Sequence, residues 1–191
     1  KMPTHYKELL TCRYLNPKFD FATSLDGLVD VIKNKDEEFI VNALRLIEPN
    51  IKDFVLSKNE VLVDIGLDKR IPINMMGDGA RKILSILTSI YECKNGIVLI
   101  DELSNGFHYS VMKGVWTSIV SVAKKNNVQI FATTHDLDSI KGLRDAAMSC
   151  EEYNNSIVCF KLHRTDNSEL KSYQYSLDSV DYSLNQEIEI R

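Results

Sequence analysis

Two acidic residues, Asp101 and Glu102, directly follow the apolar run 97–100. The run predicts a buried strand, and ligands of parallel α/β sheets bind beyond the carboxyl ends of such strands. Asp101 could hold a hydrated Mg²⁺, because this ion prefers one or two carboxylates together with phosphates. Glu102 would face the other way and could orient or deprotonate a water molecule. The alternative is a strand that leaves the core through an acidic cap with no chemical role.

A second polar strand end lies further along the chain, where the apolar run 128–132 is followed by two threonines and His135. A neutral histidine in this place could bond the γ-phosphate of a nucleotide and sense its loss. The alternative is a helix N-cap, in which Thr134 or Asp136 would cap the following helix and His135 would be an ordinary surface residue.

A glycine-rich stretch, Gly77-Asp78-Gly79, precedes a predicted long helix. Glycines let backbone N–H groups approach a ligand closely, and a helix N-terminus favours anions. Arg81 and Lys82 add positive charge that could contact a phosphate, whereas Asp78 places a negative charge close by. The alternative is a glycine-rich turn capped by Asp78.

The apolar pattern predicts the elements that must position these residues. Helical spacing covers 24–48 (with a turn at 34–36), 80–91, 111–124 and 177–186, and apolar runs predict strands at 61–65, 97–100, 128–132, 157–162 and 172–175. Strands that alternate with helices predict an α/β fold with a mostly parallel sheet flanked by helices. Two apolar strands joined by one helix run parallel, so Asp101 and His135 should lie at the same edge of one sheet.

Composition narrows the function class. The 191 residues are 44% hydrophobic and 26% charged, as is usual for a folded domain, and no apolar run is long enough for a membrane span. The net charge of −4 does not favour nucleic-acid binding by bulk charge, although a local basic patch would leave that partner open. The four cysteines form no C-x-x-C pair, which argues against a zinc site or a disulfide framework and predicts a reducing, cytoplasmic compartment.

The order and spacing of the three motifs resemble the second half of ABC-type ATPases, most closely the SMC-like group that includes the OLD-type ATPases. In this comparison residues 77–79 stand at the signature motif, Asp101 and Glu102 match the Walker B aspartate and the catalytic glutamate, and His135 matches the switch histidine. Residues 104–108 resemble the ENGLHP stretch that leads into the D-loop.

The resemblance implies ATP hydrolysis by a nucleotide-driven switch. Asp101 would complete Mg²⁺ binding, Glu102 would polarise the attacking water, and His135 would contact the γ-phosphate. Residues 77–79 would reach the ATP held by a partner, and His108 would contact nucleotide through the D-loop. The resemblance further implies a head-to-tail homodimer or higher homo-oligomer, and stand-alone members often act beside an effector nuclease or toxin in phage defence.

The chain departs from the family pattern at three positions. Gly77 replaces the usual signature serine, Ser104 replaces a common glutamate, and Asp136 follows the histidine where serine is frequent. The resemblance covers about residues 60–191. We therefore predict a mainly helical segment, 1–59, that leads into an ATPase half, 60–191.

A Walker A motif, G-x-x-x-x-G-K-[ST], is absent: no two of the eight glycines are five apart, and lysine follows none of them. In the family this motif lies N-terminal, so we expect it to precede the Lys1-Met2 start, and we expect the 191-residue chain alone to hydrolyse no ATP. The alternative is a non-catalytic, ATPase-like interaction module that binds a partner protein, an interpretation that the missing motif favours.

Overall fold

The computed structural model describes residues 10–16, 25–58, 60–150, 156–165 and 168–186. The strands are β1 (Cys12–Leu15), β2 (Asp53–Ser57), β3 (Glu60–Asp64), β4 (Ile71–Pro72), β5 (Ile97–Ile100), β6 (Gln129–Ala132), β7 (Cys159–Arg164) and β8 (Leu170–Tyr175). The helices are α1 (Leu25–Lys33), α2 (Glu38–Leu44), α3 (Asp78–Glu92), α4 (Met112–Lys125), α5 (Leu137–Met148) and α6 (Leu177–Asn185).

A parallel sheet with strand order β1-β5-β6 carries the two predicted strand ends. Leu15 pairs with Ile100, and Ile100 pairs with Ala132, so all three strands end at the same edge. The predicted parallel pairing of 97–100 with 128–132 is therefore confirmed. Strand β1 was not predicted, because three of its four residues are exposed and it contains no apolar run.

One hydrophobic core joins the sheet to its helices. Helix α3 contacts α1, α2, α4 and β5, and it is buried along almost its whole length because neighbours surround it. Helix α4 is tied to α5 through Trp116, whose indole N–H donates to the backbone oxygen of Ser139 at 2.9 Å. The predicted α/β class, with a parallel sheet flanked by helices, is confirmed.

The remaining described strands are antiparallel. Strands β2, β3 and β4 form one small sheet, and β7 and β8 form a hairpin. The predicted strands at 61–65, 157–162 and 172–175 correspond to β3, β7 and β8, whereas β2 was not predicted. The predicted helical region 24–48 divides into α1 and α2, and its first residue lies outside the described residues.

The predicted boundary at residue 60 stays a prediction. Residues from α1, α2 and β1 belong to the same hydrophobic core as residues from α3, α4 and β5. Strand β2 also pairs with β3 across this boundary. Among the described residues, no helix combines the length and the apolar character needed to cross a bilayer.

Candidate active site

Asp101, which follows the central strand β5, is held by groups from β1 on one side and from the end of β6 on the other. Its Oδ1 accepts a hydrogen bond from the Thr133 hydroxyl at 2.5 Å, and its Oδ2 lies 3.4 Å from the Tyr14 hydroxyl. Its backbone N–H donates to the Leu15 carbonyl at 2.9 Å. Partial desolvation, and then the negative charge of Asp101, raise the pKa of Tyr14 above its ordinary value. Asp101 is therefore fixed in position at the centre of the edge.

Glu102 turns the chain away from the sheet. Its φ of 50° lies in the left-handed region, which a residue with a side chain occupies only when its surroundings enforce it. Its backbone N–H donates to the Thr133 hydroxyl at 3.0 Å, and the N–H of Leu103 donates to the Thr133 carbonyl at 2.9 Å. This turn sends the Asp101 and Glu102 side chains to different partners.

The carboxylate of Glu102 lies against His135. The His135 Nδ1 is 3.0 Å from Oε1 and 2.8 Å from Oε2. Only Oε1 has hydrogen-bond geometry, so we assign the bond to Oε1; Oε2 is buried and has no hydrogen bond within the described part of the chain. The Glu102 side chain is 29% exposed and the His135 side chain 76%, so the histidine ring presents most of its surface to solvent.

The helix cap that the sequence offered as an alternative is present, and of its two candidate residues Asp136 forms it. The Asp136 carboxylate accepts a hydrogen bond from the N–H of Asp138 at 3.0 Å, and it begins α5. His135, which that alternative made an ordinary surface residue, contacts Glu102.

Lys82 is a component of the site that the sequence did not predict in this role. The residue is 8% exposed, and its ammonium donates to the carbonyls of Glu102 at 2.7 Å and Asn105 at 3.0 Å. The ammonium also lies 5.8 Å from the centre of the Phe107 ring. Burial lowers the pKa of Lys82 to about 8, although the charges of Glu102 and Asp101 act to raise it. No sequence signal identifies this contact, because lysine is almost never buried.

The glycine-rich start of α3 packs against the loop that follows β5. A Cβ built on Gly79 would lie 2.9 Å from the carbonyl oxygen of Gly106, so only glycine fits this approach without a shift. Gly77 has φ 85° and ψ 175°, a conformation that is essentially restricted to glycine. Gly77 is also the N-cap residue of α3, so the alternative in which Asp78 caps this helix is wrong.

Two further predicted residues make local contacts. Arg81 pairs with the carboxylate of Asp78, which is 76% exposed. The Nδ1 of His108 lies 2.8 Å from the hydroxyl of Ser110, and His108 caps the short 3₁₀ turn over residues 109–111. The structure therefore brings Asp101, Glu102 and His135 together, whereas the hydrogen bond of His108 to Ser110 stays within its own turn. The nucleotide contacts of Arg81 and His108 stay predictions.

The oxygen atoms around Asp101 suit a magnesium ion better than a zinc ion. The Asp101 carboxylate and the Thr133 hydroxyl provide oxygen ligands only. In the described ranges, no group of three or more His, Cys, Asp or Glu residues could hold a metal unaided. Mg²⁺ fits such a sparse site because it keeps several waters and is completed by substrate phosphates.

The residues that form this edge of the β1-β5-β6 sheet lie within a region that matches a known protein family. The family described as an AAA ATPase domain matches residues 12–139. The chain belongs to this AAA ATPase domain family. The match begins at β1, so the likeness starts well before the predicted residue 60, and it ends within α5.

Two relatives match the chain over different lengths. An ATP/GTP phosphatase of Helicobacter pylori is 26% identical over 159 residues, covering 81% of this chain and 43% of that protein. An uncharacterised protein of Methanocaldococcus jannaschii is 35% identical over 107 residues, covering 55% of this chain and 89% of that protein. The chain thus spans less than half the length of the Helicobacter relative.

Solved structures of SMC ATPases share the fold. One belongs to work on the ATP-driven dimerisation and DNA-stimulated activation of SMC ATPases; it matches with a TM-score of 0.54 at 12% identity, over 86% of this chain and 99% of that chain. The other is an SMC head bound to the C-winged helix domain of ScpA, with a TM-score of 0.54 at 12% identity, over 85% of this chain and 49% of that chain. The AAA ATPase domain described here therefore has the fold of an SMC ATPase head.

Proposed function

We propose that this AAA ATPase domain hydrolyses ATP, with Asp101 as a Mg²⁺ ligand and Glu102 as the general base. The observation that carries the proposal is the pair of contacts across the strand ends, from Asp101 to Thr133 at 2.5 Å and from Glu102 to His135 at 3.0 Å. Two carboxylates that are adjacent in sequence but bound to separate partners suit two separate roles.

In the proposed reaction a water oxygen attacks the γ-phosphorus, and the bond from that phosphorus to the bridging oxygen of ADP breaks. The proton of the water passes to the Glu102 carboxylate, whose side chain is 29% exposed. His135, with its largely exposed ring, would contact the γ-phosphate. Mg²⁺, when bound at Asp101, supplies positive charge to the phosphates.

The proposal includes a second copy of the protein. Gly77 and Asp78 are exposed, as suits backbone groups that reach nucleotide held by another protomer in a head-to-tail homodimer. The SMC ATPases of the solved structure, which undergo ATP-driven dimerisation, support this arrangement. The phosphate cradle would come from sequence beyond these 191 residues, as the greater length of the Helicobacter relative allows.

The biological setting is proposed from the family resemblance alone. We place the protein in the OLD-like group, in the cytoplasm, acting with an effector nuclease or toxin in defence against phages. The resemblance that supports this setting rests on the motifs around residues 77–79, 101–108 and 135.

The proposed roles of the two carboxylates can be separated by mutation of the whole protein. Glu102→Gln keeps size and hydrogen bonding but removes the base, so hydrolysis should fall about 10²–10⁴-fold while ATP still binds. An ATP-bound dimer should then accumulate in sedimentation or size-exclusion experiments.

Asp101→Asn should instead weaken Mg²⁺-dependent nucleotide binding. Turnover of Glu102→Gln at the wild-type rate would show that these acids only cap a strand.

A second candidate function is a non-catalytic module that binds a partner protein. The absence of a Walker A motif from the 191 residues favours it. Equilibrium binding of a fluorescent ATP analogue to the whole protein distinguishes the two candidates, since the module would bind no nucleotide in the presence of Mg²⁺.

A further inference from the structure

Lys82 places a buried positive charge beneath the turn that carries Glu102. Resting on the ATPase function proposed above, we propose that Lys82 is the positioning residue of Glu102. Its ammonium fixes the left-handed turn that presents the Glu102 carboxylate, and it couples that turn to the glycine-rich start of α3. Lys82 itself would contact neither nucleotide nor water, because it is 8% exposed.

The backbone of Glu102 is held from both sides. The Thr133 hydroxyl accepts its N–H at 3.0 Å, and the Lys82 ammonium donates to its carbonyl at 2.7 Å. A left-handed residue with a side chain is strained and persists only where its surroundings over-determine it. The two hydrogen bonds provide that constraint at Glu102, whose φ is 50°.

The second hydrogen bond of the Lys82 ammonium holds the other end of the loop that begins at Glu102. By donating also to the Asn105 carbonyl at 3.0 Å, Lys82 holds the beginning and the end of the segment between Glu102 and Asn105. The next residue, Gly106, touches Gly79 near the start of α3. The loop is therefore attached to the first turns of α3 at two points, and a movement of that helix start would reach Glu102.

The identity of the residue argues for a role beyond stability. Burying an ammonium costs free energy, and an apolar residue of similar volume often stabilises a buried position as well or better. The first turns of α3 are otherwise lined by buried residues such as Ala80, Ile83 and Leu84. A lysine here is explained by the two carbonyls that it holds, since backbone carbonyls accept from an ammonium and an apolar side chain offers them nothing.

The test uses Lys82→Met, which has similar length and no donors, in the whole protein. Misplacing the base should lower kcat about 10–100-fold, while KM for ATP stays within about twofold. Lys82→Arg keeps charged donors and should recover part of the lost kcat. Lys125→Met is the matched control. It removes a lysine at the end of α4 that bonds Asp36, away from the site, and it should leave kcat unchanged.

A double mutant separates positioning from a merely structural role. If Lys82 acts through Glu102, Lys82→Met should cause no further loss of rate in a Glu102→Gln background. An equal loss in both backgrounds, or a wild-type kcat for Lys82→Met, overturns the proposal. If Lys82→Met does not fold, Lys82→Gln, one atom shorter and with an uncharged amide donor, takes its place. Its loss of kcat should be smaller than that expected for Lys82→Met, and it should again vanish in the Glu102→Gln background. Should Glu102→Gln itself turn over normally, the ATPase proposal fails, and the result is distinct from a failure of Lys82 alone.

Discussion

The two ends of the candidate site differ in how firmly the chain holds them. The loop after β5 is bound by Thr133 and Lys82, and its carboxylate Glu102 faces His135. At the start of α3, Gly77 and Asp78 are exposed, and a Cβ built on Gly77 would meet no atom within 4 Å in the described structure. The loop after β5 is held by contacts within the chain, whereas the start of α3 exposes its backbone to solvent.

This difference matches the two roles that we propose, a catalytic base at Glu102 and a nucleotide-contacting surface at the start of α3. A catalytic base must be placed accurately before the reaction, because small misplacements reduce rates strongly. A surface that meets nucleotide on another protomer must stay accessible until that protomer arrives. Gly79 joins the two regions, since it is buried and lies against Gly106.

The largest effect is expected where the two regions touch. Gly79→Val would force side-chain atoms into the Gly106 carbonyl, with an expected loss of about 2–3 kcal/mol in the free energy of unfolding. Hydrolysis should fall with it, because the loop that carries Glu102 must move. Urea denaturation measures the loss. An unchanged free energy of unfolding would mean that the two regions are not in contact.

A smaller loss is expected within the organised loop. Thr133→Val keeps the shape but removes the hydroxyl that donates to Asp101 and accepts from Glu102, and it should cost about 1–3 kcal/mol in the free energy of unfolding. Thr117→Val is the matched control, because its exposed hydroxyl bonds only a carbonyl of its own helix. If Thr133→Val and Thr117→Val lose the same free energy of unfolding, the hydroxyl of Thr133 does not hold the loop.

The buried ammonium predicts a pH dependence of stability. The pKa of Lys82 is about 8 in the folded protein, against an ordinary value of 10.5, so the unfolded chain binds this proton more tightly. The free energy of unfolding therefore rises with pH in this interval, by about 1 kcal/mol from roughly pH 8 to 9 through this group. Lys82→Met should lack this rise in denaturant titrations, whereas Lys125→Met should keep it; identical pH profiles for the wild type and Lys82→Met would contradict the buried charge.

The smallest effect on stability is expected at the open end of the site. Asp78→Ala removes an exposed ion pair with Arg81 and should change the free energy of unfolding by less than about 0.5 kcal/mol. It also removes a negative charge and frees the Arg81 guanidinium, so ATP-dependent self-association should tighten roughly two- to fivefold. Sedimentation equilibrium with and without ATP measures this. Tightening without ATP would show that the effect is unrelated to nucleotide.

The sequence predicted the parts of the site that follow from continuous apolar strands. Because the apolar runs that form β5 and β6 are joined by one helix, the meeting of Asp101 with the second strand end could be derived, and it is confirmed by the pairing. The expectation that both strands are buried is wrong for β6, since three of its four residues are exposed. The expected membership of an ATPase family is likewise confirmed, as an AAA ATPase domain. The catalytic roles of Glu102 and His135 stay predictions.

What the sequence did not predict depends on contacts between distant segments. Strand β1 is mostly exposed and joins the sheet only through its pairing with β5. Lys82 lies in a helix where its type suggests a solvent-facing position, and its partners are carbonyls, which carry no residue-specific signal. Thr133 was noted only as a polar strand end, because its two partners become neighbours only when β5 and β6 pair.

Trp116 gives the molecule a built-in optical signal. It is the single tryptophan of the sequence, it is 7% exposed, and its indole is bonded to Ser139 in the first turn of α5. The same helix begins directly after the turn that carries His135. A displacement of that turn by nucleotide would change the polarity around the indole and shift its emission. Fluorescence of the unlabelled protein would therefore follow the nucleotide-driven switch that we propose.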